Sequence, residues 1–183
     1  MYQRPVALIH GSRDPEYIND ASSFFRRINI DYVFLLGHNE GIIPGSFPFF
    51  LNWGRDYESA LRFAEHRLNP LLGIEEFIHE LKRRLPKTVI LHGSSDIEAL
   101  KGIRVLKDTG FEVRLLNGEP SVYSMECPSE AYLLFLFRGV IVKRAVEAIK
   151  ARCPLTELRG PLSSEPWFPD LTRRILKSSG LLG

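Results

Sequence analysis

Cysteine is nearly absent: Cys127 and Cys153 are the only two, and no C-x-x-C exists. This excludes a dithiol redox motif and a cysteine-rich zinc module, and leaves open either two buried thiols or one bridge. Glutamine occurs once, at Gln3, and methionine twice, while arginine far outnumbers lysine, a thermophile-like usage. No apolar run approaches a membrane span, and Ala131–Phe137 is far too short. Charge of one sign is missing too. The 24 basic and 22 acidic residues leave a net +2 spread along the chain, which argues against a nucleic-acid partner. There is no P-loop, G-x-S-x-G or zinc-ligand spacing. An apolar run begins within a few residues of Met1, so no leader is expected, and a cytoplasmic protein without a membrane partner is the default.

What is present is a repeat. Thr88–His92 is a short apolar run of the strand type, ended by Gly93-Ser94-Ser95. Ser95 and Glu98 then stand in capping-box spacing, and Ile97, Leu100, Ile103 and Leu106 share one helical face. Asp108-Thr109-Gly110 stops that helix before a return strand at Phe111–Leu116. The earlier copy starts at Val6, ends its strand in His10-Gly11-Ser12, and enters a helix through Asp14 and Pro15. Tyr17, Ile18, Ala21, Phe24, Phe25 and Ile28 mark its buried face, and Tyr32–Leu36 is its return strand. Helix-connected strands of this kind lie parallel. In both copies an apolar strand follows, Phe49–Trp53 and Ala131–Phe137. Gly54-Arg55-Asp56 and Arg138-Gly139 then read as hairpin turns into short strands at Tyr57 and Val140–Lys143. The pattern predicts an α/β protein of two tandem units, each a four-stranded mixed sheet with flanking helices. Their bounds are residues 1–85 with a linker helix at 74–85, and 86–152. Residues 153–183, rich in Pro, Ser and Leu, read as a C-terminal tail that docks Trp167 and Phe168 onto the body, with docking onto a partner, and an oligomer through that tail, as the alternative.

This order resembles the thioredoxin/glutaredoxin superfamily, most specifically at Ser46–Ser59, SFPFFLNWGRDYES. The resemblance implies a cis bond before Pro48 and a strand edge beside Phe47 and Pro48 that accepts an extended peptide. Two such units are similar to the tandem protein disulfide oxidoreductases. The positions where that superfamily holds its thiolate read Ser12-Arg13-Asp14-Pro15 and Ser94-Ser95-Asp96-Ile97, so disulfide exchange is excluded. Two shorter matches compete. His10–Pro15, HGSRDP, is similar to the opening signature of the sirohydrochlorin chelatases, whose histidine serves metal insertion. Val89–Leu100 is similar to a toprim opening, with His92 in place of its metal-binding glutamate.

The reading that results is a redox-inactive, thioredoxin-like binding or scaffold module with a peptide or protein partner and no cofactor. Ser12, Phe47, Pro48, Ser94 and Ser95 are its binding residues. The alternative is an enzyme using His10, His92 or Cys127 in chelatase-like or thiol-transfer chemistry. No carboxylate or second histidine stands at metal-ligand spacing from either histidine, so no resident metal site is expected.

Overall fold

The computed structural model describes residues 4–35 and 41–183. The first unit runs β1 (Val6–Ile9), α1 (Pro15–Ile28), β2 (Asp31–Phe34), β3 (Ser46–Pro48), α2 (Arg55–Leu61), a 3-10 turn at Leu71–Gly73, and α3 (Glu75–Arg84). Its sheet has the order β2-β1-β3. The second unit runs β4 (Thr88–Leu91), α4 (Leu100–Asp108), β5 (Glu112–Leu115), β6 (Glu130–Leu133), α5 (Val140–Arg152), β7 (Glu157–Arg159), a 3-10 turn at Leu162–Ser164, and α6 (Phe168–Ser178), with sheet order β5-β4-β6-β7. The order of the first sheet recurs in the second as β5-β4-β6, with β7 added, so among the described residues the expected four strands occur in the second unit and the first has three. The expected parallel pairing of first and second strands holds in both copies. Leu36, assigned to the first return strand, and the loop residues 37–40 lie outside the described residues.

Every pair of strands is parallel, so the expected mixed sheets are corrected. The segments read as hairpins are helix starts. Val140–Val142 is β-branched and looks like a strand, yet it forms the first turn of α5, with Val142, Ala145 and Ile149 buried. Tertiary context overrides local propensity here. Gly54 and Gly139 precede α2 and α5 with φ of 142° and 145°, a backbone that L-residues rarely adopt. Neither helix carries its own side-chain cap. The cap comes from the other unit: Val140 N donates to Asp14 Oδ2 at 2.6 Å, and Arg55 N to Asp96 Oδ2 at 2.8 Å. A hydrogen-bond acceptor supplied from that distance in sequence leaves no local signal.

Pro48 is also corrected. The cis bonds among the described residues precede Pro120 and Pro161, and the Phe47–Pro48 bond is not cis. Both residues are buried in β3, and its outer edge is covered where His66 N donates to Ser46 O at 2.8 Å.

The segment after Cys153 continues the repeat. β7 extends the second sheet beside β6. Leu162 N and Ser163 N donate to Phe135 O and Leu136 O, as Leu71 N and Leu72 N do to Phe50 O and Leu51 O in the first unit. α6 then takes the place that α3 holds in its own unit. Its Phe168 is fully buried, and Trp167 packs partly buried against the core. One apolar cluster joins the units: Phe24, Phe25 and Phe49 from the first meet Phe137 and Phe168 from the second. Asn52 Nδ2 donates to Ala99 O at 2.9 Å, and Arg138 N to Asp20 Oδ2 at 2.7 Å, so the interlock is reciprocal. No helix among the described residues is long and apolar enough to cross a membrane.

Candidate functional site

In an open parallel sheet the loops that leave the carboxyl ends of the strands form the natural ligand crevice. Here the carboxyl ends of β4, β5 and β6 and the segment after β3 enclose one cleft of about 830 Å³ between the units, within the range of small-molecule sites. Its walls are the segments after β3 (Phe50 to Tyr57), after β4 (Leu91 to Ala99), Asn117-Gly118 after β5, and Leu134-Phe135 after β6. Phe50, Trp53 and Phe135 give it flat apolar surface, and Asn52, Asp56, His92 and Asp96 give it polar groups.

His10, at the carboxyl end of β1, meets Asp56 at the start of α2: Nδ1 and Oδ2 are 3.0 Å apart. Asp56 and His92 line the cleft; His10 is not among its lining residues and reaches it through Asp56. The hydrogen bond from Asp56 raises the pKa of His10 against the opposing effect of burial, and its charge adds to the rise. The same bond lowers the pKa of Asp56. With Nδ1–H committed to the carboxylate, Nε2 is left as the lone-pair nitrogen. The ring is 57% exposed, so that nitrogen is accessible. Tyr17, expected only as a core residue, donates its hydroxyl to His10 O at 3.3 Å. Burial first, and then the Asp56 charge, push its pKa up, so it stays a neutral donor.

His92, the counterpart at the end of β4, has no carboxylate. The second unit places Ile141 two residues after Gly139, where the first places Asp56 two residues after Gly54. His92 Nε2 lies 3.0 Å from Asn117 Nδ2. With the amide donating, Nε2 accepts, which only a neutral ring does. Burial, with help from Arg144, lowers its pKa accordingly. Gly93 is required beside it, because a Cβ there would lie 1.8 Å from Asn117 O. The two histidines thus share a topological position but not a chemistry.

The serines hold the loops. Ser12 Oγ accepts from Asp14 N at 3.1 Å and Ser94 Oγ from Asp96 N at 3.0 Å. The N-cap of the turn leading into α4 is Asp96, not Ser95, which stands exposed on the cleft wall. Cys127 is bridged to Cys153 (Cα–Cα 5.3 Å), which settles the open pairing and removes Cys127 as a thiol nucleophile. Asp56, Tyr17 and Asn117 are the histidine partners that sequence reasoning missed. Asp56 read as a turn residue, and only the fold brings it to His10. Among the described residues no group of three or more His, Cys, Asp or Glu could hold a metal ion.

No family model matches the chain, and no curated protein sequence matches it. Two solved structures do match. CbiX, the terminal enzyme for biosynthesis of siroheme in denitrifying bacteria, is 14% identical, with a TM-score of 0.67 over 97% of this chain and 99% of that one. SirB from Bacillus subtilis, solved with Fe3+, is 16% identical, with a TM-score of 0.64 over 98% of this chain and 96% of that one. With the all-parallel sheets, these likenesses overturn the thioredoxin/glutaredoxin resemblance and the redox-inactive scaffold drawn from it. At such identities they establish one thing: this chain shares the fold of CbiX and SirB.

Proposed function

We propose that the chain is a chelatase that inserts a divalent metal ion into a tetrapyrrole of the sirohydrochlorin type, with His10 as the central residue. The carrying observation is the His10–Asp56 pair, whose Asp56 lines the inter-unit cleft. The HGSRDP signature, and a fold shared with an enzyme of siroheme biosynthesis and a protein solved with Fe3+, support the reading. Insertion of a divalent ion into a free-base macrocycle releases two pyrrolic protons, so the site needs a nitrogen that takes a metal ion or a proton in turn. His10 Nε2 supplies it, and Asp56 fixes the ring and stabilises its charged form. Imidazole and carboxylate suit first-row transition ions. A site with few protein donors keeps coordination positions free, as a metal in transit requires. Phe50, Trp53 and Phe135 offer a flat macrocycle apolar contact.

Cobalt(II) titration followed by visible absorption tests the metal half of this reading. Wild type is expected to develop ligand-field bands that His10→Ala abolishes and His92→Ala leaves. Bands that persist in His10→Ala and vanish in His92→Ala would move the site to the second unit.

A further inference from the structure

We infer that Asp96, a residue of the second unit, is the positioning residue of the His10–Asp56 pair in the first. Asp96 is held from three sides. Its backbone N–H donates to Ser94 Oγ at 3.0 Å, its Oδ1 accepts from Glu98 N at 3.1 Å, and its Oδ2 accepts from Arg55 N at 2.8 Å. Arg55 is the first residue of α2, and Gly54 before it has no side chain with which to cap the helix. Asp96 is therefore the cap of a helix it does not belong to. The next residue, Asp56, carries the carboxylate 3.0 Å from His10 Nδ1. The relay runs Ser94, Asp96, Arg55 N–H, Asp56, His10, and it crosses the cleft floor from one unit to the other.

The second copy of the device shows what is specific about the first. Asp14 makes the mirrored contacts: Ser12 Oγ on its N–H, Glu16 N on Oδ1, Val140 N on Oδ2. The helix it caps presents Ile141, 37% exposed, in place of the aspartate. Cross-capping holds both units together, but only the Asp96 copy has a functional carboxylate one residue further on. On α1 the Tyr17 hydroxyl donates to the His10 carbonyl.

Asp96→Ser in the full chain separates the two roles of this side chain. A serine still caps Glu98 N, since serine is a good N-cap, but its single short hydroxyl does not also hold Arg55 N. Arg55→Pro removes the same hydrogen bond from the donor side at a first helical position that tolerates proline, and it serves if Asp96→Ser fails to fold. The primary readout is the His10 Nδ1–H resonance in 15N-labelled protein at fixed pH, assigned by its loss in Asp56→Ala. The inference predicts that Asp96→Ser and Arg55→Pro lose or broaden that resonance while Asp96→Ser keeps most of its thermal stability. A wild-type resonance in both variants overturns it. Cobalt(II) affinity is the second readout, and this arm rests on the chelatase reading. A fall of about ten- to a hundred-fold in Asp96→Ser is expected, the usual effect of losing a partner behind a metal ligand. Wild-type protein that binds no cobalt(II) while the resonance still depends on Asp96 would refute the metal reading and leave the positioning role standing.

Discussion

Replacing Phe24 with alanine asks whether the two units fold as one. Phe24 is 1% exposed. Its ring centroid lies 5.3 Å from Phe25, 6.1 Å from Phe49, 5.6 Å from Phe137 and 5.0 Å from Phe168. One side chain on α1 thus touches the segment after β3, the turn before α5 and the start of α6. Truncating a buried phenylalanine costs about 3–5 kcal/mol, the transfer term plus the cavity that surrounding atoms fail to fill. The upper half of that range is expected here, because Phe25 on the same helix and three aromatic neighbours on three other segments cannot all move inward at once. For a chain of this size the loss corresponds to a fall in Tm of roughly 6–20 °C. Urea unfolding of Trp53→Phe and Trp167→Phe proteins gives two reporters, since each retains one tryptophan packed against the shared core. Both should report one transition, and Phe24→Ala should move both midpoints equally. Two separated transitions, or a shift seen by Trp53 alone, would refute the shared core.

The Cys127–Cys153 bridge closes a loop of 26 positions. In the chain-entropy picture its loss costs about 3 kcal/mol, so Cys127→Ser should melt well below wild type while cobalt(II) binding at His10 stays unchanged. The His10–Asp56 pair has a pH signature. The raised pKa of His10 contributes stability fully present below 6.5 and lost as pH rises through the raised value; the lowered pKa of Asp56 contributes stability present above 3.8 and lost as pH falls through the lowered value. The pair therefore stabilises most between 3.8 and 6.5. With side chains 57% and 67% exposed, it is worth no more than about 1 kcal/mol. The Tm difference between wild type and Asp56→Asn, measured against pH, should peak in that window, and a flat difference would contradict the pairing.

The sequence showed what is local. Thr88–Leu91 ending in His-Gly-Ser, and its copy at Val6, were legible as strand, loop and helix because hydrophobic periodicity and caps are written within a few residues. Their parallel pairing followed from the helical crossover. The third strand and what came after it were misread for a physical reason. Gly54 and Gly139 look like hairpin glycines, and the acceptors that turn them into helix starts, Asp96 and Asp14, belong to the other unit. The same non-locality hid Asp56. His10 was a visible candidate from its place at a strand end, but the carboxylate that pairs with it is brought to it only by the fold. The segment after Cys153 was obscure because its role in the repeat is carried by backbone pairing with Phe135 and Leu136, which side-chain patterning does not reveal.

The central claim is metal insertion through His10. Turnover of sirohydrochlorin with cobalt(II), followed by its change in absorption under anaerobic conditions, tests it most directly. Wild type should exceed the uncatalysed rate. His10→Ala should lose at least about a hundred-fold, the lower bound for a positioned proton acceptor, and His92→Ala should keep most of the activity. A wild-type rate no faster than the uncatalysed reaction, or a His10→Ala rate equal to wild type, would contradict the account.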